Sequence, residues 1–128
     1  MRCLLDTHTL IWWMTNDSLL SELARDLIER EDNISIVSAV SAWEIATKVR
    51  LGRLPAAAEL VQDFVADLAQ QRIGILGVSA DHGIRAGSLP GPLKDPFDRM
   101  LIAQALAENI PLVSNDRALD GYGVRRLW

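Results

Sequence analysis

Short apolar runs alternate along this chain with amphipathic segments of helical period. That alternation predicts an α/β fold, a three-layer α/β/α sandwich around a mainly parallel sheet of four to five strands. Strands separated by helices need crossover connections, which leave the sheet covered on both faces. The 128 residues, 49% hydrophobic and 23% charged, suit one ordinary domain spanning residues 1–128, long enough to bury a core without disulfides. No linker, repeat or low-complexity stretch divides it.

The elements follow in order. Arg2 to Leu5 reads as a buried strand that stops at the polar turn Asp6-Thr7-His8-Thr9. A short helix covers Leu10 to Met14. Ser18 or Ser21 caps the next helix, with Leu23, Leu27 and Ile28 on one face and Glu22, Asp26, Glu29 and Arg30 on the other. Ile34 to Val37 is the second strand, after which Ser38 or Ser41 opens a helix through Trp43, Ala46 and Val49 toward the stop signal Gly52. Pro55 starts an amphipathic helix with Leu60, Phe64, Val65 and Leu68 toward the core. Ile73 to Val78 is the third strand, and Ala80 to Ala86 a short helix. The loop 87–92, rich in Gly and Pro, leads to Asp95-Pro96, a strong helix start, with Phe97, Leu101, Ala105 and Leu106 at helical spacing as far as Asn109. Pro111 to Ser114 is the fourth strand, and Val124 to Leu127 a fifth.

The bulk numbers exclude several classes. An acid at position 6 interrupts what a signal peptide would need as its apolar core, and no run approaches the ~18 apolar residues of a membrane span, so a cytoplasmic protein without a membrane role is expected. The one cysteine, Cys3, lies in an apolar run and reads as a small core residue. A net charge of −4 argues against a general nucleic-acid coat protein, because non-specific affinity comes from basic residues on phosphates. The average conceals a different arrangement, with the acids concentrated in one hollow and Lys48, Arg50, Arg53, Lys94, Arg99 and Arg117 forming a basic rim.

The acids carry the functional argument. Asp6 closes the first strand and Asp116 follows the fourth. Asp98 lies in the first turn of the helix before that strand, and Glu44 in the helix after the second. In parallel sheets ligands gather at the carboxyl ends of the strands, where these four positions can converge. Ionised carboxylates within about 5 Å repel by ~3 kcal/mol per pair at an effective dielectric near 20, and over several pairs this rivals a domain's stability of ~5–15 kcal/mol. An all-oxygen set, with one cysteine and two histidines in the chain, favours one or two hard cations, Mg²⁺ or Mn²⁺, over zinc. Such ions activate water and stabilise charge on a phosphodiester during hydrolysis.

Each acid also has a plain structural explanation. Asp6 and Asp116 suit turns or caps, Glu44 an ion pair with Lys48 four residues on, and Asp95 and Asp98 the cap and dipole of one helix. Capping accounts for Asp95 in full. The constellation is the evidence rather than any one member.

Four segments carry a resemblance: 4–12 (LLDTHTLIW), 38–45 (SAVSAWEI), 95–105 (DPFDRMLIAQA) and 112–116 (LVSND). Together, and in this order, they resemble the PIN-domain ribonucleases, particularly the VapC-like toxins of bacterial toxin–antitoxin pairs. The resemblance covers nearly the whole chain. It implies an endoribonuclease with Asp6, Glu44 and Asp98 as metal-binding acids and Asp116 as the fourth, with Thr7, Ser114 and Asn115 supporting them. It further implies a homodimer and an antitoxin partner that blocks the site. A groove offering Leu10, Trp12, Trp13 and Leu20 is where apolar contacts with that partner are expected, although both tryptophans fit a core or dimer interface better.

Lys48, Arg99 and Arg117 are the candidates for RNA phosphate, with Arg99 alternatively paired to Asp95. His8 reads as a local hydrogen-bonding group rather than a general base. Two other readings compete. A phosphatase of the haloacid dehalogenase type also opens with an Asp after the first strand, but needs a second Asp where His8 stands. A non-catalytic interaction module would use these acids only as caps.

Overall fold

β1 (Arg2–Leu5) takes the middle of the sheet because it is apolar enough to be covered on both faces: Cys3, Leu4 and Leu5 are fully buried. In the computed structural model, which describes residues 1–128, β1 pairs in parallel with β2 (Ile34–Ser38), setting Leu4 opposite Ile36 and Leu5 opposite Val37. On its other side β4 (Leu112–Val113) pairs Leu112 with Leu4 and Val113 with Leu5. β3 (Gly74–Leu76) and β5 (Arg126–Leu127) form the edges, giving the order β3-β2-β1-β4-β5 with every pairing parallel.

Side chains alternate between the two faces of these strands, as a period of two requires. Cys3, Leu5, Val37 and Val113 enter the larger core with Leu10 and Ile11 of α1 (Thr7–Met14) and Ala24 of α2 (Glu22–Glu29). Leu60 of α4 (Ala58–Gln62) and Leu68 of α5 (Phe64–Gln70) complete it. Leu4, Ile36 and Leu112 point the other way, onto Leu101, Ile102 and Ala105 of α7 (Pro96–Glu108). α3 (Ala39–Arg50) contributes Ile45 to the first core and Val40 to the second, and α6 (Ala80–Ser88) packs on α7. The result is the three-layer sandwich expected, and no helix is long and apolar enough to cross a membrane.

The helix starts resolve the alternatives left by the sequence. Ser21, not Ser18, caps α2 by accepting from Ala24 N, and Ser38, not Ser41, caps α3 by accepting from Val40 N. Asp95 caps α7 through one oxygen that accepts from Phe97 N at 2.8 Å and Asp98 N at 3.1 Å, with Pro96 at the first helical position.

Three expectations need correction. The segment after Pro55 is a 3₁₀ turn (Pro55–Ala57) and two helices rather than one, because the backbone at Asp63 leaves helical geometry. Leu60, Phe64 and Leu68 still face the core at a spacing of four across this break, whereas Val65, expected in the core, is 69% exposed. Leu10 and Leu20 are buried in the larger core and cannot serve a partner groove, and the exposed apolar surface nearby comes from Leu19 and Leu23. Trp12 and Trp13 are partly buried against the same core.

Arg99 is the third correction: it faces neither solvent nor Asp95. Its guanidinium donates to the carbonyls of Ala86 at 2.9 Å, Leu93 at 2.8 Å and Leu89, fastening the loop before α7 from inside. The same loop is held by Tyr122, whose hydroxyl accepts from Leu93 N, and Gly91 is required because φ is +103° and a Cβ would come within 2.7 Å of that hydroxyl. Arg99→Met is therefore expected to cost about 2–4 kcal/mol of stability in urea titration, with Arg99→Lys failing to restore it, since an ammonium cannot span the three carbonyls. A loss below about 0.5 kcal/mol would show that the strap contributes nothing.

Candidate active site

The strand order turns back at β1, whose neighbours β2 and β4 lie on opposite sides, and it is beyond the carboxyl ends of these strands that the acids collect. Asp6, Glu44, Asp98 and Asp116 line one open cavity of about 470 Å³, together with Asp95, His8, Lys48, Asn115 and Arg117. No hydrophobic side chain contributes to its wall.

Asp6 is 6% exposed and sits at the N-cap position of α1, yet its side chain makes no cap bond. It accepts instead from Ser114 Oγ at 2.6 Å, which joins the end of β1 to the residue after β4. Ser114 Oγ in turn accepts from Asp116 N at 3.1 Å. Glu44, 3% exposed, projects from the second turn of α3; one oxygen pairs with the Lys48 ammonium, and Oε1 is buried with no partner. Asp116 caps the 3₁₀ turn 117–122 by accepting from Ala118 N with Oδ1. Thr7 makes no side-chain bond to a carboxylate: its hydroxyl meets Ser41 Oγ at 2.9 Å and ties α1 to α3.

The electrostatics record the crowding. Burial, then the charges of Asp95, Asp6, Glu44 and Asp116, push the Asp98 carboxyl up to about 7. Burial also raises Asp6, against the opposing effects of the Ser114 hydrogen bond and His8. Burial alone would lower Lys48, but its bond to Glu44 and the charges of Glu44, Asp95 and Asp98 raise it.

The sequence-derived acids thus share one cavity, but no group of three or more acidic, histidine or cysteine side chains stands as a ready metal cage. The Lys48 ammonium holds one oxygen of Glu44 instead. All-oxygen donors, a carboxyl titrating near neutrality and the unpartnered Glu44 Oε1 nevertheless suit a hard divalent ion better than a soft one.

Of the basic candidates, Lys48 and Arg117 line the cavity and Arg99 does not; Arg50, Arg53 and Lys94 are exposed outside it. Asp95 and His8 belong to the wall although sequence reasoning gave them only local roles. For Asp95 the available signal was its spacing of three from Asp98, which sets both carboxylates on one side of the helix start.

A sequence model of the PIN domain matches residues 3–124. Ribonuclease VapC22 of Mycobacterium tuberculosis (strain ATCC 25618 / H37Rv) is 31% identical over 120 residues, covering 93% of this chain and 90% of that protein. Among solved structures, VapBC2 from Rickettsia felis, bound to a DNA fragment from its promoter, superposes with a TM-score of 0.71 at 17% identity, covering 99% of this chain and 98% of that one. A toxin–antitoxin complex from Klebsiella pneumoniae superposes at 0.66 with 18% identity, covering 98% and 96%. The family match spans nearly the entire chain, so this protein belongs to the PIN-domain family.

Proposed function

We propose that the chain is a divalent-metal-dependent endoribonuclease and the toxin of a toxin–antitoxin pair. The observation that carries this reading is the cavity itself, five carboxylates against two basic side chains with no apolar lining, in which Asp6 and Glu44 are almost wholly buried. A fold gains no stability from such repulsion, so the arrangement argues for a cationic ligand. The likeness to a ribonuclease at 31% identity supports RNA as substrate, and the toxin–antitoxin complexes among the structural neighbours support an antitoxin partner. A homodimer is what the family resemblance implies.

In this reading Asp6, Glu44, Asp98 and Asp116 hold one or two Mg²⁺ or Mn²⁺ ions, which supply charge neutralisation and an activated water for phosphodiester hydrolysis. Ser114 fixes the orientation of Asp6, and Asn115 lends a neutral polar group at the rim. Lys48, paired with Glu44, and Arg117, on the opposite element, are the cations of the cavity wall that would meet the scissile phosphate.

Asp98→Asn is expected to reduce cleavage of RNA in Mg²⁺ or Mn²⁺ by more than ~100-fold, since even groups that merely orient a metal ligand are worth ~10–100-fold. Cleavage by the purified variant at the parent rate would overturn the assignment.

The same carboxyl gives a stability prediction of definite sign. Its folded pKa, about 7, lies above the ordinary 3.8, so its contribution is fully favourable below the ordinary value and is lost as pH rises through 7. Metal-free parent protein should therefore melt lower at about pH 8 than at about pH 5.5 relative to Asp98→Asn, which lacks this dependence. Parallel melting curves for the two proteins would exclude it. Metal binding at about pH 6 must also displace the Asp98 proton, so calorimetry in buffers of different ionisation enthalpy should record close to one proton released per site there, about half at pH ~7 and little by pH ~8. A proton count of zero at about pH 6.5 would exclude Asp98 as a ligand.

A further inference from the structure

We propose that Trp43 is a stacking platform for an unpaired base beside the cleaved phosphate, so that the substrate is single-stranded at that nucleotide; this rests on the ribonuclease reading above. Trp12, Trp13 and Trp128 pack against the larger core, whereas Trp43 belongs to neither core and is 63% exposed. Its position is not a loose one. The indole meets the Phe97 ring at 5.0 Å between centroids and 75° between planes, an edge-on contact that holds its orientation while leaving most of it in water.

Neither ring lines the cavity, and the pair reaches its rim through Lys48, which belongs to the cavity wall and lies over Phe97. Trp43 precedes Glu44 in α3, and Phe97 precedes Asp98 in α7, so the two helices that deliver those carboxylates also deliver the two rings. The Lys48 ammonium, paired with Glu44, lies 6.0 Å from the centroid of Phe97 and links the charged wall to the aromatic lip. The cavity wall holds carboxylates, cations, an imidazole and an amide, which can grip a phosphate or ribose but present no broad apolar face to a base.

Trp43 supplies that face. Stacking is open to any base but not to one enclosed in a duplex, so the platform selects strandedness rather than sequence. Its place on rigid helices, braced by Phe97, lowers the ordering cost of binding.

The test is a binding cycle in Ca²⁺, a hard cation that can neutralise the carboxylates, with intact RNA confirmed by gel after each titration. A short unstructured oligoribonucleotide of mixed sequence is scanned with single abasic substitutions against the parent protein and against Trp43→Ala. In the parent, an abasic site at one register is expected to weaken binding by about 5- to 150-fold, the range of base–aromatic stacking, and in Trp43→Ala the same substitution has no further effect. Trp43→Tyr should restore most of the affinity, and circular dichroism verifies that each variant is folded.

A flat abasic scan in the parent, or equal sensitivity in Trp43→Ala, overturns the platform. So does a change in the sedimentation mass of Trp43→Ala, which would assign the indole to an interface between protein chains. Cleavage in Mg²⁺ separates this inference from the one beneath it. Parent protein that cuts this RNA without any dependence on Trp43 refutes the platform alone, while Trp43-dependent binding without cutting refutes the nuclease and leaves the platform standing.

Discussion

Repulsion among carboxylates held out of bulk water is the constraint around which this fold is arranged. Asp6 and Glu44 are as buried as core residues, and Asp98 is pushed up to about 7, first by its own burial and then by the charges of Asp95, Asp6, Glu44 and Asp116. Isolated, such a cluster would open. It persists because each acid is attached to an element anchored elsewhere: Asp6 to the fully buried β1, Asp98 to α7 above Leu101 and Ile102, and Glu44 to α3 beside Ile45. The apolar sheet therefore does more than stabilise the chain. It holds side chains in a geometry they would not choose.

The positive charges are distributed by the same logic. Lys48 neutralises part of the cluster from within, four residues along the helix from Glu44, a spacing that places both on one face. Arg117 enters from the far side, after β4. Arg99, equally close in sequence to the acids, turns inward because the end of α6 and the loop after it present three carbonyls, those of Ala86, Leu89 and Leu93, which a forked guanidinium can reach together and an ammonium cannot. A chain with net charge −4 can still offer cations to a phosphate, because recognition depends on the local arrangement and not on the total.

What could be read from the sequence follows from which features are local. Strand and helix types were legible because apolar period is a local property, and Asp6 could be singled out because it ends an apolar strand abruptly. Strand lengths were not: β3 and β4 are trimmed to Gly74–Leu76 and Leu112–Val113 by how far their neighbours pair, a tertiary fact. The exposure of Val65 was hidden because an apolar residue at the margin of the stripe Leu60, Phe64 and Leu68 reads as core from its period alone. Arg99 was misjudged because an arginine beside acids looks like a rim residue until the carbonyls it serves, up to thirteen positions away, are brought beneath it. Trp43, read with Ala46 and Val49 as the periodic face of its helix, is instead 63% exposed, because in a helix of mixed pattern exposure cannot be told from burial.

The structural and functional explanations of the acids, set against each other in the sequence, turn out not to compete. A carboxylate has two oxygens, and a helix cap uses only one. Asp95 gives Oδ1 to both Phe97 N and Asp98 N, and Asp116 gives Oδ1 to Ala118 N, so each keeps Oδ2 free of any cap bond on a side chain whose position the cap has fixed. Capping in this way orients an acid at the edge of the cavity without consuming it. Asp6 takes the opposite course: it occupies a cap position and leaves the cap unmade, accepting the Ser114 hydroxyl instead. An N-terminal turn that forgoes its cap gives up about 1 kcal/mol. A fold that accepts this loss at a carboxylate only 6% exposed, while capping the helices around it, gains nothing in local helix stability from that side chain.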